Sequence, residues 1–426
     1  MTEAFLQYVW QHQLLDHGLA TIDGQPVVVL RVGEHNHDAG PDFFNARVRV
    51  GDVEWVGNVE IHVRTSDWKT HRHSDDKAYN NIVLHVVYEH DCDIALQDGR
   101  IPSTLELKPY LHPSLVANYD ALVRPDGGEA IPCGKKVVEV PELVRKSFME
   151  RLTIERIEAK TEVAKRLLDE SRGGWEQTCY WLMAHYFGGK VNALPFELLA
   201  KATDQRLLAR WKDNPRRIEA LLMGQAGLLE GFFEDDYPRQ LQTDYNAICG
   251  ATALKPIGGY LWKYYCLRPS SFPTIRISQF AQLLSQSSSL FATLLSMNDA
   301  REIEKLFDQH AAEYWNNHYK FDKVTAKSSV KRIGKIQAEL LIINAWVPLL
   351  FLYGTEHGQQ NYKDQAVDLL MQLPAEDNVV IRRWRQAGIE PSNAAESQAL
   401  LQLYNRYCTG RRCLECGIGY QILKHK

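Results

Sequence analysis

The sequence predicts an α+β fold: an N-terminal, mostly antiparallel β-sheet unit with a short helix, followed by a larger α-helical region. Three observations carry this. Between residues 27 and 108, runs rich in β-branched and aromatic residues alternate with polar ones at period two. From Glu142 onward the spacing becomes helical and rich in Glu, Lys and Arg. The charge changes with it. Residues 1–112 hold 9 Lys+Arg against 17 Asp+Glu, a balance of −8, and 10 of the 15 histidines, whereas the remainder balances at +4.

The elements follow in order. Phe5, Val9, His12 and Leu15 share a helix face, predicting a short amphipathic helix over 3–17. Val27–Val32 is a β run, and the polar stretch Gly33–Pro41 is a loop. Phe44–Val50 reads F-N-A-R-V-R-V, a half-buried strand, and Gly51-Asp52 turns the chain into Glu54–Val63 as a hairpin. Asn81–Tyr88 and Ser103–Lys108 complete a sheet of about five strands. Beyond the junction, helices are expected at 142–168, 176–187, 195–211, 215–230, 278–296, 301–318, 330–353, 361–372, 377–388 and 394–407. This gives a β-rich unit at 1–112, a junction at 113–141, a helical region at 142–407 and a cysteine-containing C-terminal segment at 408–426.

The N-terminal Met1–Trp10 contains Glu3 and lacks a basic leader or pure apolar run, which predicts no secretory signal and a cytoplasmic chain. Leu340–Tyr353 is the most apolar stretch. It is shorter than the roughly 20 residues a bilayer requires, so it is expected to be a buried helix and not a membrane span. Eight cysteines in 426 residues are too few for a disulfide scaffold.

Two acids stand out in the β unit. Pro41-Asp42 leads into one strand and Glu60-Ile61-His62 lies near the end of its partner. Period-two geometry puts Glu60 and His62 on one face, and the hairpin brings Asp42 toward Glu60. Two carboxylates in one cavity repel unless protonated or bridged by a cation, and oxygen ligands suit Mg²⁺ or Mn²⁺. The same residues also suit an ordinary hairpin, with Pro41-Asp42 as loop chemistry and Glu60 as an exposed strand residue.

In this pattern residues 3–110 resemble the restriction-endonuclease-like nuclease superfamily, whose proline–aspartate and acid–x–lysine motif is approached by Pro41-Asp42 and Glu60-Ile61-His62. The resemblance implies metal roles for Asp42 and Glu60, a water-positioning role at His62, and a helix between the later strands. His62 departs from the motif's lysine and suits a ligand or base; Lys69 and Lys77 are the candidate replacement amines.

His71 and His73, in the segment Ser66–Asp76, can share an ion with Asp76 or His62, and imidazole–carboxylate sets suit zinc, iron or manganese. His85 is expected on the Glu60 side of the next strand. A solvated loop with hydrogen-bonded imidazoles is the simpler alternative.

Cys408-x4-Cys413-x2-Cys416 has the sharpest spacing in the chain, and Cys133, between Pro132 and Gly134, is the best distant fourth ligand. Four thiolates hold structural Zn²⁺ or an iron–sulfur cluster. The arrangement is similar to nucleases of the same superfamily in which three C-terminal cysteines and one distant cysteine bind a four-iron cluster. Buried free thiols are the alternative.

The segments GPDFFNA, WVGNVEIHVRTSDWKTHRH, YNNIVLHVVYEHD, EALLMGQAGLL, SQALLQLYNRYC and CLECGIG resemble an uncharacterised bacterial full-length protein family. That resemblance implies domain unity and no particular chemistry. The residues themselves point to a divalent-metal-dependent nuclease or related phosphodiesterase acting on nucleic acid. The alternative is a non-catalytic scaffold or nucleic-acid-associated protein with a structural thiolate metal site. The sequence names no protein partner and no oligomeric state.

Overall fold

The computed structural model describes residues 1–123, 131–134, 136–250 and 254–424. The chain forms two compact units. One comprises Met1–Phe148, Arg383–Ile389 and Tyr404–Lys426; the other comprises Met149–Arg382 and Glu390–Leu403. The first unit is therefore assembled from three separate stretches of chain.

Its sheet contains β1 (Val27–Arg31), β2 (Glu34–His35), β3 (Phe43–Val50), β4 (Val53–Arg64), β5 (Ile82–Glu89) and β6 (Ser103–Glu106). The order is β1-β3-β4-β5-β6, with β2 also paired to β3. Among the described strands, β3 is antiparallel to β1, β2 and β4, and its pairing with β4 is the hairpin that the Gly51-Asp52 turn predicts. The pairs β4–β5 and β5–β6 are parallel, so the sheet is mixed. The connections explain the difference. A tight turn at Gly51-Asp52 reverses the chain between β3 and β4. Residues 65–81 instead carry it back to the start of the sheet through a helical turn at Asp67–Thr70 and two 3₁₀ turns.

One irregularity sets the register of the hairpin. Phe43 pairs with Val59 and Ala46 with Gly57, so β3 has one residue more than β4 between these pairs. The extra residue is absorbed at Asn45, whose φ is 56°, and its backbone N–H donates to the Asn58 side chain at 3.4 Å. This bulge puts Asp42 across from Glu60. Without it Asp42 would stand opposite Ile61 and face the other side of the sheet.

Helix α1 (Glu3–Gln11) starts at Thr2, whose hydroxyl accepts the Phe5 N–H. It buries Phe5, Leu6, Val9 and Trp10 completely; side chains of this size contribute about 1.5–3 kcal/mol each relative to exposure. Trp10 donates its indole N–H to the Val32 carbonyl at 3.0 Å, and the Phe5 ring stacks on Tyr119. Beyond the other connection, Trp68, Tyr79, Ile82, Ile94 and Leu96 form a separate small core. The consequence shows along β4. Val53–Val56 are exposed, while Gly57–His62 are buried on both faces. Polar residues at 58, 60 and 62 are thus held inside the protein.

The second unit is helical, including Trp175–Phe187, Gly189–Ala202, Pro215–Gln225, Asp236–Cys249, Pro273–Gln286, Gln360–Gln372 and Ala394–Leu403. Lys335–Glu356 is long and apolar enough to pass the length and composition test for a membrane span. However, 72% of its most apolar window is buried, and Ile342, Trp346, Leu349 and Leu350 are core residues. The helix expected at 301–318 ends at Phe307, and His318–Lys320 pairs with Lys323–Val324 in a small hairpin. A buried carboxylate accounts for this. Glu219 accepts the Trp315 indole N–H and the Ser278 hydroxyl, both at 2.7 Å, and the chain leaves helical geometry at Asp308.

The approach of β4 to the start of β5 depends on Gly57. A Cβ there would lie 2.6 Å from the Asn81 carbonyl and would overlap Val83. Gly57→Ala is expected to lower stability by about 1–3 kcal/mol, measured by urea unfolding. An alanine variant as stable as the parent would contradict this packing.

Candidate metal centre

The centre is built where the bulged end of β3 meets the buried half of β4. The Asp42 backbone N–H donates to Glu60 Oε2 at 3.1 Å. The Asp42 carboxylate accepts the Ile61 N–H at 2.9 Å and the Gln7 side-chain amide at 2.8 Å. Each acid is thereby held against the partner strand, with Gln7 of α1 fixing the outer oxygen. Glu60 is only 5% exposed.

Three imidazoles complete the cluster. His62 is two residues beyond Glu60 on the same strand face, and His85 of β5 pairs in register with Glu60. Asp67–Thr70, the second helix in chain order (α2), ends in a turn that carries His71 and His73. Arg72 between them adopts a left-handed conformation with φ 59°. That reversal takes the chain out of the helix, in which residues two apart point to different sides, and His71 and His73 come to one point. The turn is pinned from behind. Trp68 donates to the Ser74 hydroxyl at 3.1 Å, Ser74 donates to the Ala95 carbonyl at 2.8 Å, and the His73 ring stacks on Tyr79.

Glu60 Oε1 lies 3.2 Å from His73 Nε2 and 3.7 Å from His62 Nε2, and His62 Nε2 lies 3.1 Å from His71 Nδ1. One ligand atom from each of His62, His71 and His73 fits within 4.8 Å of the other two. His73 Nε2 is buried and makes no hydrogen bond. On its far side His62 Nδ1 meets His85 Nε2 at 2.9 Å. If His62 Nδ1 carries the proton and donates to His85, the Nε2 lone pair points into the cluster, the orientation a ligand requires. His62 and His73 are buried while His71 is exposed, so the cluster opens to solvent at His71.

The electrostatics match that geometry. Burial, and then the charge of Glu60, push Asp42 up to about 7. Burial pushes Glu60 up to about 8, with the Glu3 charge adding to the effect and the Asp42 N–H and His71 opposing it. Burial and the neighbouring imidazoles push His62 down to about 2 and His85 to about 3. Near neutral pH Glu60 holds its proton, Asp42 is close to its midpoint, and the buried imidazoles of His62 and His85 are neutral. Lone pairs are therefore available without charge, and a cation would displace the carboxyl protons. Such weak basicity suits His62 to ligation better than to proton abstraction.

Asp42, Glu60, His62, His71 and His73 are thus brought together. Lys69 and Lys77 are exposed residues of the β4–β5 connection. Cys133, Cys408, Cys413 and Cys416 form a second buried group in the same unit. Glu3 and Gln7 are participants that the sequence reading did not single out. Their i,i+4 spacing on a helix that starts at Thr2 is the signal that marks a shared face.

A carboxyl group whose pKa rises on folding contributes most to stability below its ordinary pKa. It loses that contribution as pH climbs through the raised value. Asp42 and Glu60 therefore destabilise metal-free protein progressively between about pH 5 and about pH 8. The depressed histidines act on the acid side, where stability rises as pH climbs toward their ordinary pKa near 6.5. Glu60→Gln is expected to raise the thermal midpoint of metal-free protein at pH 8 relative to its effect at pH 5. A Glu60→Gln effect of equal size at both pH values would contradict the buried-acid assignment.

A comparison with protein families matches residues 3–379 to DUF2851, described as a protein of unknown function. No curated protein and no solved structure matches the chain. The family match extends through the sheet and most of the helical region, and the chain belongs to the DUF2851 family.

Proposed function

We propose that the chain is a divalent-metal-dependent phosphodiesterase acting on nucleic acid, with Asp42 and Glu60 at its centre. The observation that carries this reading is the buried carboxylate pair beside three imidazoles, opening to solvent at His71. The mixed set of imidazole nitrogens and carboxylate oxygens suits Mn²⁺ or Zn²⁺ better than Mg²⁺, which favours oxygen ligands. When bound, such an ion lowers the pKa of water and offsets charge on a phosphoryl group.

The chain's own residues divide the remaining work. Glu60, His62 and His73 would hold the ion from the buried side, and His85 fixes the orientation of His62. His71 stands at the solvent mouth, where a phosphate enters. Asp42, held by Gln7 and Ile61, gives up its own proton once the cation's charge is present, and its carboxylate then accepts the proton of the attacking water as the new P–O bond forms. The P–O bond to the leaving nucleotide breaks, and that oxygen is protonated from solvent. Because residues 1–112 carry a balance of −8, binding of the polyanion depends on the bound cation and falls when it is removed. The reading places the protein in the cytoplasm, where its eight free cysteines stay reduced.

The test incubates metal-free protein with single- and double-stranded DNA and RNA, each with Mg²⁺, Mn²⁺ or Zn²⁺. Cleavage is expected with Mn²⁺ or Zn²⁺. Asp42→Asn, Glu60→Gln and His73→Gln are each expected to lower the rate by about 100-fold or more while retaining the native circular-dichroism spectrum. Intact substrates with every ion, or folded variants that cleave at the parent rate, would overturn the proposal. Metal-dependent retention of nucleic acid without cleavage would instead favour a non-catalytic nucleic-acid-associated role.

A further inference from the structure

We propose that Cys133, Cys408, Cys413 and Cys416 form a four-thiolate centre for a thiophilic metal, as Zn²⁺ or an iron–sulfur cluster. This centre would tie the junction after the sheet to the C-terminal segment. The inference is independent of the phosphodiesterase reading.

All four side chains are buried and belong to the first unit. Cys133 sits in a tight turn, its carbonyl accepting the N–H groups of both Lys136 and Val137 at 2.8 Å. Cys408 ends the π-helical turn Tyr404–Cys408, and Cys413 begins the 3₁₀ turn Cys413–Glu415. Between them the chain reverses at Arg411, whose φ is 54°. Cys416 directly precedes the last helix, Gly417–Lys424. That helix is seated on the cysteine loop. A Cβ at Gly419 would collide with the Cys413 carbonyl, and one at Gly417 would lie 3.0 Å from the Phe148 ring. The two parts are joined by Asn118, which donates to the Ile422 carbonyl at 3.0 Å and accepts from Lys136 Nζ at 2.5 Å.

Cys413 Sγ–H donates to the Leu122 carbonyl at 4.0 Å, which seats the C-terminal cysteine loop on the helix Pro113–Val123 that also carries Asn118. Cys133 is held protonated by burial and then by Cys416 and Cys413. Cys408 is held protonated by burial and then by Cys133, Cys416 and Cys413, with Arg411 opposing. Burial and Cys416 push Cys413 up to about 11. Cys179 differs: it is fully buried in the apolar core of the helical unit and is influenced by an acid, with no cysteine acting on it.

The topology gives the centre a purpose. The first unit is assembled from three stretches of chain, and the four sulfurs come from the first and the last of them. A metal at this point closes the circuit from residue 133 to residue 408 and holds the terminal helix in place.

The experiment purifies the full chain anaerobically and measures zinc, iron and acid-labile sulfide. It then replaces the metal with Co²⁺, which gives intense sulfur-to-metal charge-transfer absorption at a thiolate site and none at a histidine site. About one zinc per chain, or iron with a matching amount of sulfide, is expected. The Co²⁺ thiolate band should persist in a His71→Ala/His73→Ala variant. Cys133→Ser and Cys413→Ser should each lower the Co²⁺ thiolate band by at least about tenfold and speed proteolysis of the 404–424 segment, whereas exposed Cys266→Ser should leave both unchanged. X-ray absorption on the unmutated chain supplies a check that does not depend on variant folding, with sulfur as the dominant neighbour expected. The proposal is overturned if the reconstituted parent binds neither metal or shows no sulfur neighbours, or if Cys133→Ser, when folded, retains the parent's Co²⁺ thiolate band.

Discussion

Two carboxyl groups that would repel in water are held on adjacent strands inside the protein, and much of the first unit can be understood as the means of holding them there. The extra residue at Asn45 shifts the β3–β4 register so that Asp42 faces Glu60 instead of Ile61. The parallel return of β5 buries Glu60 and His62 on the side that an isolated hairpin would expose. Burial then sets the chemistry: it raises both acids toward or above neutrality and keeps the His62 imidazole neutral. Such a cluster has unused ligating capacity, and a divalent cation is the partner whose charge and coordination fit it.

The support for this cluster runs through α1 to the chain's other end. Gln7 reaches Asp42, and on the same helix Tyr8 and His12 meet the ring of Tyr420. Tyr420 belongs to the terminal helix that rests on the Cys413 loop. The buried cysteine group and the acidic centre are therefore connected by packed side chains within one unit. Loosening the terminal helix would remove a wall from the helix that fixes Asp42.

Much of this was legible in the sequence. Alternation at Phe44–Val50 and Glu54–Val63 located the hairpin, and the Gly51-Asp52 turn gave its direction. Period two placed Glu60 and His62 on a common face. The direction of β5 was not legible, because alternation is indifferent to parallel or antiparallel pairing and the connecting helix is only four residues long. The Asn45 bulge was hidden in an ordinary strand pattern. The convergence of His71 and His73 depends on a left-handed arginine, a conformation that composition does not advertise. Glu3 and Gln7 were visible as helical neighbours, but their target lay across the fold. In the helical unit, Gly224 is pressed against the Tyr245 ring and Gly227 against Gly259.

Anomalous diffraction from crystals soaked in Mn²⁺ tests the central claim most directly. The account predicts a single strong peak within coordinating distance of Glu60 and His73, with His62 or His71 completing the shell. Full Mn²⁺ occupancy elsewhere, or well-ordered Glu60 and His73 side chains with no peak between them, would contradict it.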